Sequence, residues 1–202
     1  MARRSRHTRE ELQALIVEAT LSLVREKGAG HVTARRIAEV IGYTPGMLYA
    51  AFTNLQEILL HVNAESLESL HADCVSAQDG ADGPEASLRA MGLAYLGFAE
   101  RRTHQFDLLF QRMEVDDLSV PPALSQRIRS LFELVERQLA TLAPAADDVA
   151  LQVGARALWS GVHGTAALTL SRQLYIDRPH ADREIVETLI TRFLDSWRQA
   201  PS

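Results

Sequence analysis

Apolar positions recur at intervals of three and four residues along most of the chain, which is the spacing of one face of an α-helix. In the first such run Leu12 and Ile16 share a face. Thr8 and Glu11 have the spacing of a capping box, and Gly28 is of the type that ends helices. The pattern therefore predicts a first helix between Thr8 and Gly28.

The helical periodicity continues beyond Phe52, and no segment shows the strict alternation of a β-strand. Asn54 and Glu57 resemble a second capping box, which opens a helix that runs to about Val75. Residues 76–84, rich in Gly and Asp, predict a loop. The remaining helices are predicted over 85–102, 103–113, 122–142, 148–174 and 182–199. The sequence thus predicts an all-α fold with about nine helices.

The segment TARRIAEVIGYTPGMLYAAF, residues 33–52, predicts two short helices joined by a tight turn. Thr33 caps the first helix, Gly42 supplies the corner, and Thr44 and Pro45 open the second helix. The helical spacing predicts that Leu48 and Phe52 face inward. Together with the first helix this makes a three-helix unit of the helix-turn-helix type, whose last helix enters the DNA major groove. An ordinary helical hairpin has the same pattern of helices and turn, so the charge of the neighbouring residues is needed to distinguish the two.

Charge is divided unevenly in this chain, which has a formal net charge of −5. Residues 1–50 contain eight Lys or Arg and five Asp or Glu, whereas residues 51–202 contain 13 basic and 21 acidic residues. Arg4 and Arg6 lie in a basic tail directly before the first helix. A cationic first segment on an otherwise acidic protein suits contact with DNA phosphates. We therefore interpret the tail as a DNA-contacting arm.

The N-terminal segment resembles the DNA-binding domain of the tetracycline-repressor (TetR) family of bacterial regulators. Residues 157–168, ALWSGVHGTAAL, resemble the Trp-His-Gly signature of one type of TetR C-terminal domain, and residues 103–112, THQFDLLFQR, resemble a short helix that comes earlier in such domains. The N-terminal resemblance rests, in order and without gaps, on Thr33, Ile37, Ala38, Gly42, Thr44, Gly46, Leu48, Tyr49 and Phe52.

The resemblance implies a ligand-responsive regulator of transcription that is not an enzyme. It implies a DNA-binding domain over residues 1–54 and an effector-binding and dimerisation domain over residues 55–202. Its partners are then a palindromic double-stranded operator, a second copy of the chain and a small, mostly apolar effector that releases a repressor from the operator. The homodimer is expected through the last two helices, of which 148–174 is rich in small residues and 182–199 carries a broad apolar stripe. Packing within one chain is the alternative for both features.

Arg35 matches a family position that reads a guanine edge, whereas Arg36 points about 100° away and is expected to contact phosphate. Tyr49 matches a tyrosine whose hydroxyl reaches the DNA backbone, with core packing as the alternative. One departure is Leu55, where the family usually has Lys. The predicted DNA-binding residues are Arg4, Arg6, Thr33, Arg35, Arg36, Thr44, Pro45, Gly46, Met47 and Tyr49.

An effector pocket is predicted in the middle of the chain, since pockets are mostly apolar with a few polar groups. A stripe of aromatic and Met side chains at helical spacing is also typical of a plain core, and His163 is also explained by a hydrogen bond to a neighbouring helix. The predicted ligand-binding residues are Met91, Tyr95, Phe98, Phe106, Phe110, Trp159 and His163.

Other functional classes receive little support. No hydrolase, metalloprotease, Walker or dinucleotide-binding motif occurs, so we predict no catalytic residues, no cofactor and no metal site. The lone Cys74 is expected to be structural. Because no apolar run is long enough for a membrane and no signal peptide is evident, we expect a cytoplasmic, nucleoid-associated protein. A DNA-binding or scaffolding protein with a solid core and no ligand remains the main rival.

Overall fold

The computed structural model describes residues 7–111 and 120–198. Within these ranges the chain forms nine α-helices, one short 3₁₀ helix and no β-strand, which confirms the predicted all-α class. The helices are α1 (Arg9–Lys27), α2 (Ala34–Ile41), α3 (Pro45–Leu48), α4 (Leu55–Ala77), α5 (Gly83–Arg101), α6 (Thr103–Phe110), α7 (Pro122–Leu142), α8 (Asp148–Leu170) and α9 (Ala181–Trp197), and the 3₁₀ helix is Ala29–His31.

Both ends of α1 are formed as the sequence predicts. The Thr8 hydroxyl accepts from the Glu11 N–H at 3.2 Å, and the Glu11 carboxylate accepts from the Thr8 N–H at 2.8 Å. Gly28, with φ at 77°, ends the helix in a conformation that L side chains rarely adopt. This confirms the capping box and the glycine stop.

Two predicted helix ends are wrong. Helix α8 ends at Leu170, although apolar residues continue to Leu174, because Arg172 leaves the helical conformation and adopts a positive φ of 56°. Helix α6 ends at Phe110 and not at 113. Residues 112–119, which include the end predicted for that helix, lie outside the described part of the chain.

The chain forms two compact units. The first consists of residues 1–67 and 104–125, and the second of residues 68–103 and 126–202, as far as each range is described. Helix α4 runs without a break from the first unit into the second, because the division falls at Leu67. The domain boundary at residue 54 stays a prediction.

The core of the first unit joins α1, α2, α3 and α6. Ile16 of α1, Ile37 of α2, Leu48 of α3 and Leu108 of α6 are all buried in one cluster. Phe52, which follows α3, is buried with them, so the inward orientation predicted for Leu48 and Phe52 is confirmed.

In the second unit, glycines on α8 let α9 pack closely against it. A Cβ atom on Gly154 would lie 2.6 Å from the Trp197 ring, and one on Gly161 would lie 2.6 Å from Leu189. These two small residues therefore serve packing within one chain. Gly164 differs, because nothing lies within 4 Å of the position of its Cβ.

We predict that Gly154→Ala lowers the free energy of unfolding by about 1–3 kcal/mol, since an added methyl overpacks this contact. The Trp197 ring cannot yield easily, because its indole N–H donates to the Leu139 carbonyl at 3.2 Å. Thermal or urea unfolding measures the effect. The matched control is Gly164→Ala in the same helix, which should be neutral or stabilising by up to about 1 kcal/mol. Equal losses in both variants would contradict the packing argument.

Candidate DNA-binding surface and central aromatic cluster

The corner between α2 and α3 is built as a helix-turn-helix. The Thr33 hydroxyl accepts from the Arg36 N–H at 3.3 Å and so caps α2. Gly42 takes the left-handed conformation at φ 70°, which favours glycine. Thr44 stands at the predicted cap position of α3, but its side chain makes no capping hydrogen bond. The Thr44 hydroxyl is therefore not used to close its own helix.

Helix α3 is held in place by α1. The Gln13 side-chain amide donates to the Ala51 carbonyl at 2.9 Å, and Arg9 reaches the same oxygen at 3.5 Å. Because Leu48 and Phe52 are buried beneath the segment, its polar side is fixed outward. No local sequence pattern marks Gln13, although Leu12 and Ile16 in the same helix are predicted to share a face.

The predicted DNA-contacting residues of α3 and its flanks lie mostly at the surface. Thr44, Pro45 and Gly46 are exposed, and the Tyr49 side chain is 54% exposed, which argues against a core role for its ring. Met47 is half-buried and packs partly on the core of the first unit. Two further predicted residues, Arg4 and Arg6, lie outside the described part of the chain.

The two adjacent arginines of α2 have different partners. The Arg35 side chain is 83% exposed, and its Nε donates to a Glu39 carboxylate oxygen at 3.0 Å. Arg36 instead donates from Nη1 to the His31 carbonyl at 2.7 Å, which ties the 3₁₀ helix to α2. Arg36 thus has a structural role that the sequence did not reveal, beside any contact with phosphate.

Helix α6 is joined to the first unit by a buried polar network. The Gln105 amide N–H donates to the Ser66 hydroxyl of α4 at 3.0 Å, and the Gln105 oxygen accepts from Arg25 Nε of α1 at 3.2 Å. Gln105 and Ser66 are both buried, so breaking either bond would leave an unsatisfied polar group. His104 adds a hydrogen-bond contact to the Arg25 carbonyl at 3.1 Å.

In the second unit, three of the residues predicted to bind a ligand, Tyr95, Trp159 and His163, lie in contact with one another. The Tyr95 hydroxyl lies 3.0 Å from His163 Nδ1, and the Trp159 ring stacks on the imidazole with centroids 5.2 Å apart. Phe132 of α7 packs edge-on against Trp159 at 5.8 Å. We call Tyr95, Trp159, His163 and Phe132 the aromatic cluster.

Tyr95 and His163, the two titratable side chains of the aromatic cluster, favour their neutral forms, while the Arg156 guanidinium lies over the Phe132 ring with its Cζ 4.3 Å from the ring centroid. Burial lowers the pKa of His163 below its usual value, which favours the neutral imidazole. Burial also raises the pKa of Tyr95, so the phenol stays protonated. The cluster therefore offers aromatic faces and hydrogen-bonding dipoles, which suits an uncharged ligand. Nearby, burial first and the Asp73 charge second raise the pKa of Cys74 to about 12, and a protonated, buried thiol fits its expected structural role.

The other predicted ligand residues are placed differently. Met91 and Phe98 are buried in the second unit. Phe106 and Phe110 contact each other with ring centroids 4.9 Å apart, but they belong to the first unit. A ligand-binding role stays a prediction for all seven residues.

Residues 7–111 and 120–198 contain neither a candidate metal site nor a helix that could span a membrane. In these ranges no three His, Cys, Asp or Glu side chains are grouped as a metal site would require. Nor does any helix there combine the length and apolar character needed to cross a membrane.

The fold and the α2–α3 corner define a helix-turn-helix DNA-binding protein with a helical C-terminal part. The family described as bacterial regulatory proteins, tetR family, matches residues 16–62, and the tetracyclin repressor-like C-terminal domain matches residues 88–193. The chain belongs to the TetR family, whose members are generally ligand-responsive, dimeric DNA-binding regulators of transcription and not enzymes. No curated protein matches the chain.

Solved structures with this fold are distant in sequence. A TetR transcriptional regulator from Rhodococcus sp. RHA1 is 17% identical, with a TM-score of 0.67 over 96% of this chain and 100% of the other. RolR in complex with resorcinol is 16% identical, with a TM-score of 0.70 over 95% and 93%. The fatty acid degradation regulator FadR from Bacillus halodurans is 12% identical, with a TM-score of 0.65 over 90% and 97%.

We predict that the free energy of unfolding falls as the pH drops below about 6.5, the usual pKa of histidine. Because the pKa of His163 is lowered in the folded state, the unfolded chain binds the proton first, and stability present above that pH is lost. Urea unfolding at about pH 7 and about pH 5 measures the loss, which His163→Gln should reduce. An identical pH dependence in both proteins would contradict the burial of a neutral imidazole.

Proposed function

We propose that this protein is a homodimeric repressor that binds a palindromic operator and leaves it when a small, mostly apolar effector binds. The observation that carries the proposal is the exposed α2–α3 corner, which is locked by Thr33, Gly42 and Gln13 while Arg35 extends into solvent. A bacterial repressor of this kind works on the chromosome, in the cytoplasm.

Sequence readout is assigned mainly to Arg35. The exposed residues of α3 and its cap, Thr44, Pro45 and Gly46, have no side chain for a bidentate base contact. They suit contact with the backbone and with thymine methyl groups. Arginine binds O6 and N7 of guanine through two donors. Arg35 suits that contact better than Arg36, because one terminal nitrogen of Arg36 already donates to the His31 carbonyl. Thr33 and Tyr49 are then placed on phosphates.

The α8 side of the proposed α8–α9 dimer interface is supported by apolar side chains that are exposed to solvent. Val149 and Val153 of α8 are 68% and 62% exposed, although they lie on a helix whose opposite face is buried. Two copies related by a twofold axis bury the same patch twice. A symmetric dimer also supplies two recognition helices about one DNA turn apart, as a palindromic operator requires.

The aromatic cluster is proposed to bind the effector. Its faces are apolar, and the Tyr95–His163 pair provides hydrogen-bonding groups without charge. RolR, which shares the fold, was solved with resorcinol, a small aromatic diol. An uncharged aromatic compound is therefore the first class to test. Helix α4, which runs through both units, is the proposed link by which binding changes the distance between the two DNA-binding units.

The rival proposal is a DNA-binding protein with a solid core that responds to no ligand. A thermal-shift screen of small aromatic compounds separates the two, because a ligand that binds only the folded state raises the melting temperature. A compound that both stabilises the protein and releases it from DNA supports the repressor. If none of the stabilising compounds releases the protein from DNA, the result favours the rival proposal.

We predict that Arg35→Ala loses roughly 1–3 kcal/mol of specific binding and relaxes preference at one G·C pair in each half-site. Arg36→Ala should instead weaken binding to all sequences evenly and flatten the salt dependence, because any DNA contact it makes is to phosphate. Selection from random duplexes, followed by titration at several salt concentrations, measures both effects. Unchanged base preference in the Arg35 variant would place the readout elsewhere.

We predict that Val153→Glu raises the dimer dissociation constant at least about tenfold, since a carboxylate would be buried in the proposed α8–α9 interface. Sedimentation velocity of the DNA-free protein measures the change. The control is Val75→Glu, which places the same charge on an exposed position of α4. A Val153 variant that remains as dimeric as the control would rule out this interface.

A further inference from the structure

One ion pair lies on the proposed DNA-binding surface. Arg35 and Glu39 lie one turn apart on α2, joined from Nε to the carboxylate at 3.0 Å, and both side chains are largely exposed. Exposed pairs of this spacing contribute little to stability, and the order with the cation first is the less favourable one. The pair therefore adds little to the stability of the fold.

The position of Glu39 in α2 is itself unfavourable for a negative charge. Glu39 lies in the last turn of α2, where the helix dipole disfavours a negative charge. If α2 and α3 face DNA, Glu39 also adds an anion to a surface that must attract phosphates. A carboxylate at this position disfavours both the helix and the attraction of DNA, unless it improves the contact that Arg35 makes with a base.

The ion pair is formed through only one nitrogen of the Arg35 guanidinium. Glu39 engages Arg35 through Nε, and the contact does not use the two terminal Nη groups. Two parallel N–H donors at the end of a guanidinium are what a bidentate contact with O6 and N7 of guanine requires. Holding Nε also restricts a long side chain that otherwise loses much rotamer freedom on binding.

We propose that Glu39 is a specificity-determining positioning residue, which orients Arg35 for guanine and discourages it from binding phosphate. The inference rests on the proposed DNA-reading role of Arg35. It assigns Glu39 two separable effects: sharper preference at the G·C pair that Arg35 reads, and weaker attraction to DNA of any sequence.

The test uses the full-length protein and a library of duplexes with a random central segment, together with one fixed non-specific duplex. Glu39→Ala should reduce the preference at that G·C pair by roughly threefold to tenfold, a part of the discrimination that a bidentate contact provides. It should also tighten binding to the non-specific duplex. Glu39→Gln retains an oxygen that accepts from Nε, so it should keep most of the base preference while it also tightens non-specific binding.

Two controls make the result specific. Glu26→Ala removes the same charge from an exposed position of α1 and should leave base preference unchanged. In the Arg35→Ala background, Glu39→Ala should change non-specific binding only. Undiminished preference in Glu39→Ala, when Arg35→Ala abolishes it, would overturn the positioning role alone. If Arg35→Ala keeps the full base preference, both the readout proposed for Arg35 and this inference are overturned. If the wild-type protein does not bind DNA, the proposed function itself is overturned.

Discussion

The DNA-reading surface depends on the burial of Leu48 and Phe52 beneath a helix of only four residues. A helix as short as α3 is not stable by itself, so its position is set by tertiary contacts. Leu48 and Phe52 anchor it in the core of the first unit, and the Gln13 amide holds the Ala51 carbonyl that follows. Every residue proposed to touch DNA from this segment is placed by these contacts.

The same unit extends to α6, which lies far from α1 in the sequence. Leu108 of α6 is buried in the core of the first unit, and the buried Gln105 side chain bridges α1 and α4 through two hydrogen bonds. In the chain, α6 follows directly on α5, which carries Tyr95 of the aromatic cluster. Two covalent routes, α4 and the α5–α6 junction, thus lead from the proposed effector site to the DNA-reading unit. A ligand that biases either segment has a physical means to change DNA affinity.

Much of the first unit could be predicted from the sequence because its signals are local. Thr8, Gly28, Thr33 and Gly42 act on backbone groups within a few residues, and the structure places each of them as predicted. Helix periodicity likewise identified the buried Leu48.

Features that depend on distant partners were not predictable in this way. The Gln105–Ser66 bond joins residues 39 positions apart, and nothing local marks either one as buried. Small residues on α8 indicated a close approach, but only the structure shows that Gly154 and Gly161 face α9 of the same chain. The end predicted for α8 was wrong because apolar spacing continues past Leu170, while the left-handed backbone at Arg172 stops the helix. The sequence shows that Arg35 and Glu39 are four residues apart on one helix. The role proposed for the pair also depends on the exposure of both side chains, which the sequence does not show.

The most direct test of this account is selection of binding sites by the wild-type protein from random duplex DNA. The account predicts recovered sequences with two inverted half-sites, centred about one helical turn apart, because two copies of the α2–α3 corner must bind together. Recovery of a single asymmetric site, or no enrichment over the unselected library, would contradict a dimeric repressor that reads DNA with this surface.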